Sequence, residues 1–315
     1  MDSFQVIYRP FFTACLWIIS VGCCCQGVTR GNGHHRDSGN EVRQLQLPLQ
    51  GVYESISATD NYKPRLDQIA AGGFKVVLNY SLPGKVGAAI APLLAYADYA
   101  NLKGLSVIWA MKNHQWWDGT YSTDSITKLV NILKNHPATW GYYVADDDQN
   151  MIASKVISYS NIIRAADPNP RHPRLTAENT GLFNDGTMQS LEPANDYIAY
   201  WRYGIGKYAT LEELFVAEDN SYNLIFEWVK TTKKPFVLVM QANNVEACYP
   251  RLKSRYSHWP TAKEMTDLRN HMLTIAKAKD ISVPLILWYS YFDIMRVNPA
   301  AWDTLKQAAF SPLPY

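Results

Sequence analysis

The chain has 315 residues, 47 % of them hydrophobic and 18 % charged, with a formal net charge of +2 at pH 7. That length suits one large domain of roughly 250 residues with added loops, and the apolar fraction is enough for an extensive core. So slight a positive balance gives no ground for expecting nucleic acid or an anionic surface as partner.

Residues 1–25 read as a leader. Phe11 to Gly22 is an apolar run of signal-peptide length, short of the ~20 residues that span a bilayer, with Arg9 as the positive charge before it. Ser20-Val-Gly-Cys23 faintly resembles a bacterial lipoprotein box. The expectation is a protein secreted or attached to the cell surface, with membrane contact only through an N-terminal lipid or anchor. Cys15, Cys23, Cys24 and Cys25 lie in or beside this leader, which leaves Cys248 alone in the body and no internal disulfide framework. Residues 26–46 are polar, Gly-rich and aperiodic, a flexible linker in which His34 and His35 are not read as a metal site.

From Leu47 onward, apolar runs of strand length alternate with amphipathic stretches of helix length. Strand one is Leu47 to Tyr53, closing at Glu54, and a helix near Lys63 to Ala71 stops at Gly72-Gly73. Strand two, Lys75 to Tyr80, precedes a helix from Val86 to Leu102. Strand three, Leu105 to Met111, leads through a loop to a helix from about Thr123, read as its N-cap, to Lys134. Strand four is Gly141 to Ala145 within Trp140-Gly-Tyr-Tyr-Val-Ala-Asp-Asp-Asp148, and its helix spans roughly Met151 to Ala166. Strand five is Arg174 to Glu178, with a weak helix from Asp185 to Leu191. Strand six is Asp196 to Trp201, with a helix from Asn220 to Lys230. Strand seven is Pro235 to Gln241, then a long loop and a strong helix from Thr261 to Lys279. Strand eight is Val283 to Tyr289, and a helix from Pro299 to Ala309 closes the chain.

Strict alternation of strands and helices predicts an α/β fold with an all-parallel sheet covered by helices. A count of eight units favours a closed (β/α)8 TIM barrel over residues 47–315, a single domain after the leader and linker. No Gly-x-Gly-x-x-Gly follows strand one, as a dinucleotide fold would require.

In such a barrel the C-terminal ends of all strands meet at one mouth. The residues expected there include Glu54, Asn79, Lys112, Asn113, Asp146 to Asp148, Glu178, Trp201, Tyr203, Gln241, Trp288, Tyr289 and Asp293. This set argues against several chemistries. Strand one ends in Val52-Tyr-Glu54 rather than the His-x-His of a metal-dependent hydrolase, so no metal or cofactor is expected. Lys112 has nothing around it in sequence to depress its pKa as a Schiff-base lysine requires. The loops after strands seven and eight lack the glycines of a phosphate site, and no Gly-x-Ser-x-Gly elbow is present. Asp146-Asp147 followed by Asn150 could belong to a magnesium-binding prenyl-diphosphate motif, but that motif sits on a helix, which the strand pattern contradicts.

Carboxylates among aromatic rings remain, and that is how sugar sites are built: ring faces stack on the C–H faces of a pyranose while polar groups bond its hydroxyls. Trp116, Trp117, Trp201, Tyr203, Trp288, Tyr289 and Tyr291 are the rings expected near the mouth. The partner expected is therefore an oligo- or polysaccharide. Arg251, Lys253 and Arg255 in the long loop would suit an acidic one.

The segment from His136 to Asp147 (HPATWGYYVADD) resembles the strand-four motif of glycoside-hydrolase-like barrels, H-P-A-L-x-G-W-Y-x-x-D-E-P, and Pro235 to Ala242 and Leu287 to Tyr291 resemble their strands seven and eight. The resemblance implies a TIM barrel acting on carbohydrate. In the retaining superfamily the strand-four Glu is the acid/base and a strand-seven Glu the nucleophile. Here Asp147 takes the first position and Gln241 the second. Gln cannot form a glycosyl ester, so a retaining mechanism with carboxyls ~5–5.5 Å apart is not expected. An inverting scheme is: Asp147 protonates the leaving oxygen, and Glu178, Glu54 or Asp293 activates water, Glu178 being the first choice. Glu54, Asn79, Asn113, Asp146, Trp201, Tyr203, Gln241, Trp288, Tyr289 and Asp293 then bind substrate. The alternative is a non-catalytic carbohydrate-binding protein that kept the groove and lost the nucleophile.

Overall fold

The computed structural model describes residues 47–84, 89–112, 119–146, 152–252 and 256–313. The leader and linker, together with Asn113, His114, Trp116, Trp117, Asp147, Asp148, Lys253 and Arg255, lie outside the described residues.

Eight parallel strands close into a barrel in chain order: β1 (Leu49–Glu54), β2 (Val76–Asn79), β3 (Ser106–Ala110), β4 (Thr139–Ala145), β5 (Arg174–Glu178), β6 (Tyr197–Trp201), β7 (Phe236–Gln241) and β8 (Leu285–Tyr289). β8 returns to pair with β1 through Leu49–Leu285 to Val52–Trp288, so no edge strand is left exposed. The principal outer helices are α1 (Lys63–Ala71), α2 (Ile90–Leu102), α3 (Thr123–Leu133) and α4 (Ala153–Ala166). After β5 come the short α5 (Thr180–Asn184) and α6 (Thr187–Ser190), then α7 (Leu211–Thr232), α8 (Val245–Cys248), α9 (Ala262–Ala278), α10 (Tyr291–Val297) and α11 (Ala301–Phe310). Among the described residues no helix is long and apolar enough to cross a membrane.

The alternating pattern produces this fold for a simple reason. Each strand is apolar on both faces, so one face must pack inside the barrel and the other against helices. Two shells result. Leu78, Ile108, Ala110, Tyr143, Leu175, Ala177, Ala199, Val237, Val239, Leu285 and Leu287 fill the barrel, while Val77, Val107, Trp109, Tyr142, Ile198, Tyr200, Leu238, Ile286 and Trp288 meet the helices.

Several helix boundaries differ from expectation, each for a local reason. Ser122 rather than Thr123 caps α3, its hydroxyl accepting the Ser125 N–H. The weak helix after β5 is two short helices and a 3-10 turn (Glu192–Ala194), broken at Gly186, whose φ is +83°. α7 starts nine residues before the expected Asn220, because Thr210 accepts the Glu213 N–H while Glu213 accepts the Ala209 N–H. α9 instead starts where expected, with Thr261 as its N-cap in a reciprocal Thr261–Glu264 capping box. α10 was not expected: Ser290 caps it through the Asp293 N–H.

Candidate carbohydrate site at the barrel mouth

At a strand end the two-residue period decides which side chains enter the mouth. On β1, Tyr53 is inside and Glu54 faces α1, where its carboxylate accepts hydrogen bonds from Arg65 at 2.6 Å and from the Ser55 N–H. On β2, Asn79 is turned outward and spends its amide on both backbone groups of Ile56 and on the Tyr96 hydroxyl. Trp288 is likewise on the helix side, its indole N–H donating to Gln50 Oε1 at 2.8 Å. Glu178 is fully buried and shares the parity of Arg174 and Thr176, opposite to that of Leu175 and Ala177 inside the barrel. The structure thus places Glu54, Asn79, Glu178 and Trp288, all expected at the mouth, on the helix-facing side. Tyr291 also sits in the outer shell, against Trp302.

Burial accounts for the protonation tendency of Glu54: loss of water pushes its carboxyl above the usual range, against the pull of Ser55 and Arg65. One carboxylate oxygen, Oε2, is buried without a hydrogen-bond partner among the described residues.

The side chains that do enter form a ring-lined bowl. Tyr53 lies edge-on to Tyr80 at 5.1 Å and to Tyr289 at 5.2 Å, and Tyr80 is stacked with Tyr143 at 6.1 Å. Trp201, Tyr203 and Tyr289 make a continuous stack, with centroids 4.5 and 5.3 Å apart and interplanar angles of 26° and 21°. Burial pushes the phenols of Tyr80 and Tyr143 well up, and Asp146 adds to the shift, so at neutral pH they are uncharged.

Asp146 reaches this bowl through a β-bulge. The β4–β5 register slips between Tyr143 and Ala145, so Val144 and Ala145 both join the outer shell and the next residue returns inside. There Asp146 pairs with Lys112 and accepts a 2.8 Å bond from the Tyr143 hydroxyl. The Lys112 ammonium stands 3.7 Å above the Tyr80 ring. Both side chains keep contact with solvent, at 25 % exposure for Lys112 and 18 % for Asp146.

On the far wall, Gln241 is inside but spoken for. Its carbonyl accepts the Ile205 N–H, and its NH2 group donates to the Ile205 and Asn243 carbonyls. Asp293 is fully buried and accepts from Asn243, Tyr249, Ser290 and Arg296, with the Tyr249 hydroxyl also 2.9 Å from that of Tyr289. Burial pushes the nearby Cys248 thiol up to about 12, which makes it a poor nucleophile. Among the described residues no group of three or more His, Cys, Asp or Glu could hold a metal ion.

A cavity of about 260 Å³ opens between the ends of β5 and β6, lined chiefly by Thr180, Trp201, Arg202, Tyr203, Lys207 and Tyr208. Sequence reasoning named Trp201 and Tyr203 but passed over Lys207.

A closed eight-stranded parallel barrel with this mouth has the fold of the glycoside-hydrolase TIM barrels. It is similar to GH5_18 from Streptomyces cattleya, solved in complex with Manβ1-4GlcNAc, at TM-score 0.56 and 15 % identity over 85 % of this chain and 83 % of that one. It is similar also to a Thermobacillus composti GH10 xylanase, at TM-score 0.51 and 9 % identity over 77 % and 84 % of the two chains. A third similar structure is an uncharacterised protein from Clostridium thermocellum that binds 5-methyl-5,6,7,8-tetrahydrofolic acid, at TM-score 0.52 and 11 % identity over 84 % and 96 %. At such identities the likeness is one of fold. No family model and no curated protein matches the chain.

Proposed function

We propose that the mouth binds carbohydrate and hydrolyses glycosidic bonds by single displacement, with Asp147 as general acid. The observation that carries the reading is the Trp201–Tyr203–Tyr289 stack facing a bowl that also holds the Asp146–Lys112 pair. Ring faces of this kind suit the C–H faces of a sugar, and the polar pair at the end of β4 suits its hydroxyls. The fold shared with glycoside hydrolases supports the same class.

The second carboxylate must touch water to activate it. Glu178, the first choice from sequence, is fully buried, whereas Asp146 meets solvent, so the geometry favours Asp146 for that role. Double displacement is disfavoured, because Gln241 stands where a nucleophile would and all its polar bonds go to backbone. That same observation favours a second reading, carbohydrate binding without turnover. Export through the leader would suit a polysaccharide outside the cell, which fractionation of expressing cells checks.

The test is reducing-end release from a panel of polysaccharides by the full chain, with Asp147→Asn alongside. Release that the variant abolishes while sugar binding persists supports the hydrolase. Binding with no release by either protein supports the second reading, and absence of binding overturns both.

A further inference from the structure

The loop that follows β6 is fixed in place far more firmly than a surface connection needs. Gln241 holds both backbone groups of Ile205, the Tyr256 hydroxyl donates to the Tyr203 carbonyl at 2.7 Å, and Ser257 donates twice to the Gly206 carbonyl. Gly204 rests directly on Glu218 of α7: a Cβ there would lie 2.3 Å from Glu218 Oε1. Arg202 is held by Glu218 at 3.1 Å, by Ser221 at 2.5 Å and by Tyr208 at 3.1 Å. The β5–β6 cavity is therefore preformed, and rigidity of this kind lowers the entropic cost of binding.

Its electrical character is one-sided. Among the described residues two cations, Arg202 and Lys207, line it and no carboxylate does. Arg202 has an acidic neighbour behind the wall, but burial pushes the Glu218 carboxyl up to about 7 despite Arg202, so the pair is incompletely neutralised at neutral pH. The Lys207 ammonium has no ion pair or hydrogen bond among the described residues and lies over the Tyr256 ring at 4.9 Å. Burial, with Arg202 adding to it, pushes the Lys207 ammonium below its usual range. An exposed ammonium at the rim of a rigid cavity, standing over the Tyr256 ring, is a group set for an anion.

Dimensions and walls indicate what carries that anion. About 260 Å³ falls below the ~300–1,000 Å³ of pockets for drug-sized molecules and suits one small ring. Trp201 and Tyr203, stacked on one another, line it together with Asn179 and Thr180. We propose that this cavity is a subsite for an acidic sugar unit, whose carboxylate or sulfate ester is bound by Lys207 with Arg202 behind it while its ring lies against Trp201. The inference rests on the carbohydrate reading above and adds the charge of the substrate. It places the recognition of acid in the β6 loop rather than in the segment from Arg251 to Arg255.

Calorimetric titration of the full chain at low salt tests it with three sets of oligosaccharides of equal length: uronic-acid oligomers, the same oligomers carboxyl-reduced, and sulfated neutral oligomers. Loss of a charged hydrogen bond predicts that Lys207→Gln narrows the preference for acidic over reduced ligand by about tenfold, whereas Lys207→Arg keeps most of it. Added salt narrows the preference too. The uronate and sulfate arms identify which anion is taken. Affinity for the reduced oligomers equal to that for both the uronate and the sulfated sets, or a preference that Lys207→Gln leaves intact in a variant with an unchanged melting temperature, overturns the subsite while the carbohydrate reading stands. If none of the three sets binds, both are overturned.

Discussion

The two faces of the barrel wall carry acidic groups in opposite ways. On the helix-facing side Glu54 is fully buried and bonded to Arg65, and the mouth-side Glu218 of α7 is closed off by Arg202. Inside the bowl Asp146 keeps its contact with water although Lys112 and Tyr143 hold it. Carboxylates at a barrel's rim are thus not equivalent. A buried one whose partner is fixed ties a helix to the sheet, and a partly exposed one among rings can still be reached by a ligand.

That contrast can be broken by experiment. The largest effect expected is on turnover: Asp147→Asn lowers release of reducing ends at least about a hundredfold if Asp147 is the acid, and Asp146→Asn lowers it nearly as far. Glu178→Gln is expected to alter stability more than rate, and a larger loss of rate from it than from Asp146→Asn would reverse the contrast.

On the outer face, Arg65→Met leaves Glu54 buried without its cation. Denaturant titration should show a loss of about 3 kcal/mol, with sugar binding kept at denaturant concentrations where the chain is folded.

Glu218 gives a pH signature. Its folded pKa, about 7, lies above the ordinary carboxylate value, so its contribution to stability is complete below about 4.5 and is lost as pH rises through 7. Wild type should therefore lose up to roughly 2–3 kcal/mol relative to Glu218→Gln between pH 4.5 and 8, measured as paired unfolding curves. A difference that is flat over that range would mean that Glu218 is charged throughout. The smallest effect is expected from Tyr249→Phe, which removes one of the hydroxyls bonded to Asp293 and should cost about 1 kcal/mol with little change at the mouth.

The barrel itself was legible in the sequence, since eight apolar runs separated by amphipathic stretches have few other ways to bury both faces. α1 and β5 fall where the pattern puts them. The contents of the mouth were harder to read. A strand that is apolar on both sides shows no two-residue period, so nothing in the sequence distinguished Tyr53 from Glu54 or Tyr289 from Trp288 as the inward residue. The register slip in β4, which brings Asp146 inside, has no sequence signal of the Gly or Pro kind. The early start of α7 did have one, in Thr210-Leu-Glu-Glu213.

The clamp that Gln241 forms on Ile205 has an implication for redesign. Replacing the amide with glutamate looks like the shortest route to a double-displacement enzyme, because it supplies the missing nucleophile in one step. The new oxygen, however, would face the carbonyls of Ile205 and Asn243, two acceptors that now receive protons from the amide nitrogen. Lone pair would oppose lone pair inside a dry wall, and the segment after β6 would lose one of its moorings while Tyr256 and Ser257 kept theirs. Any lineage or laboratory seeking that chemistry would first have to rebuild the neighbouring turn, so the one-letter change is closed off by the architecture that surrounds it.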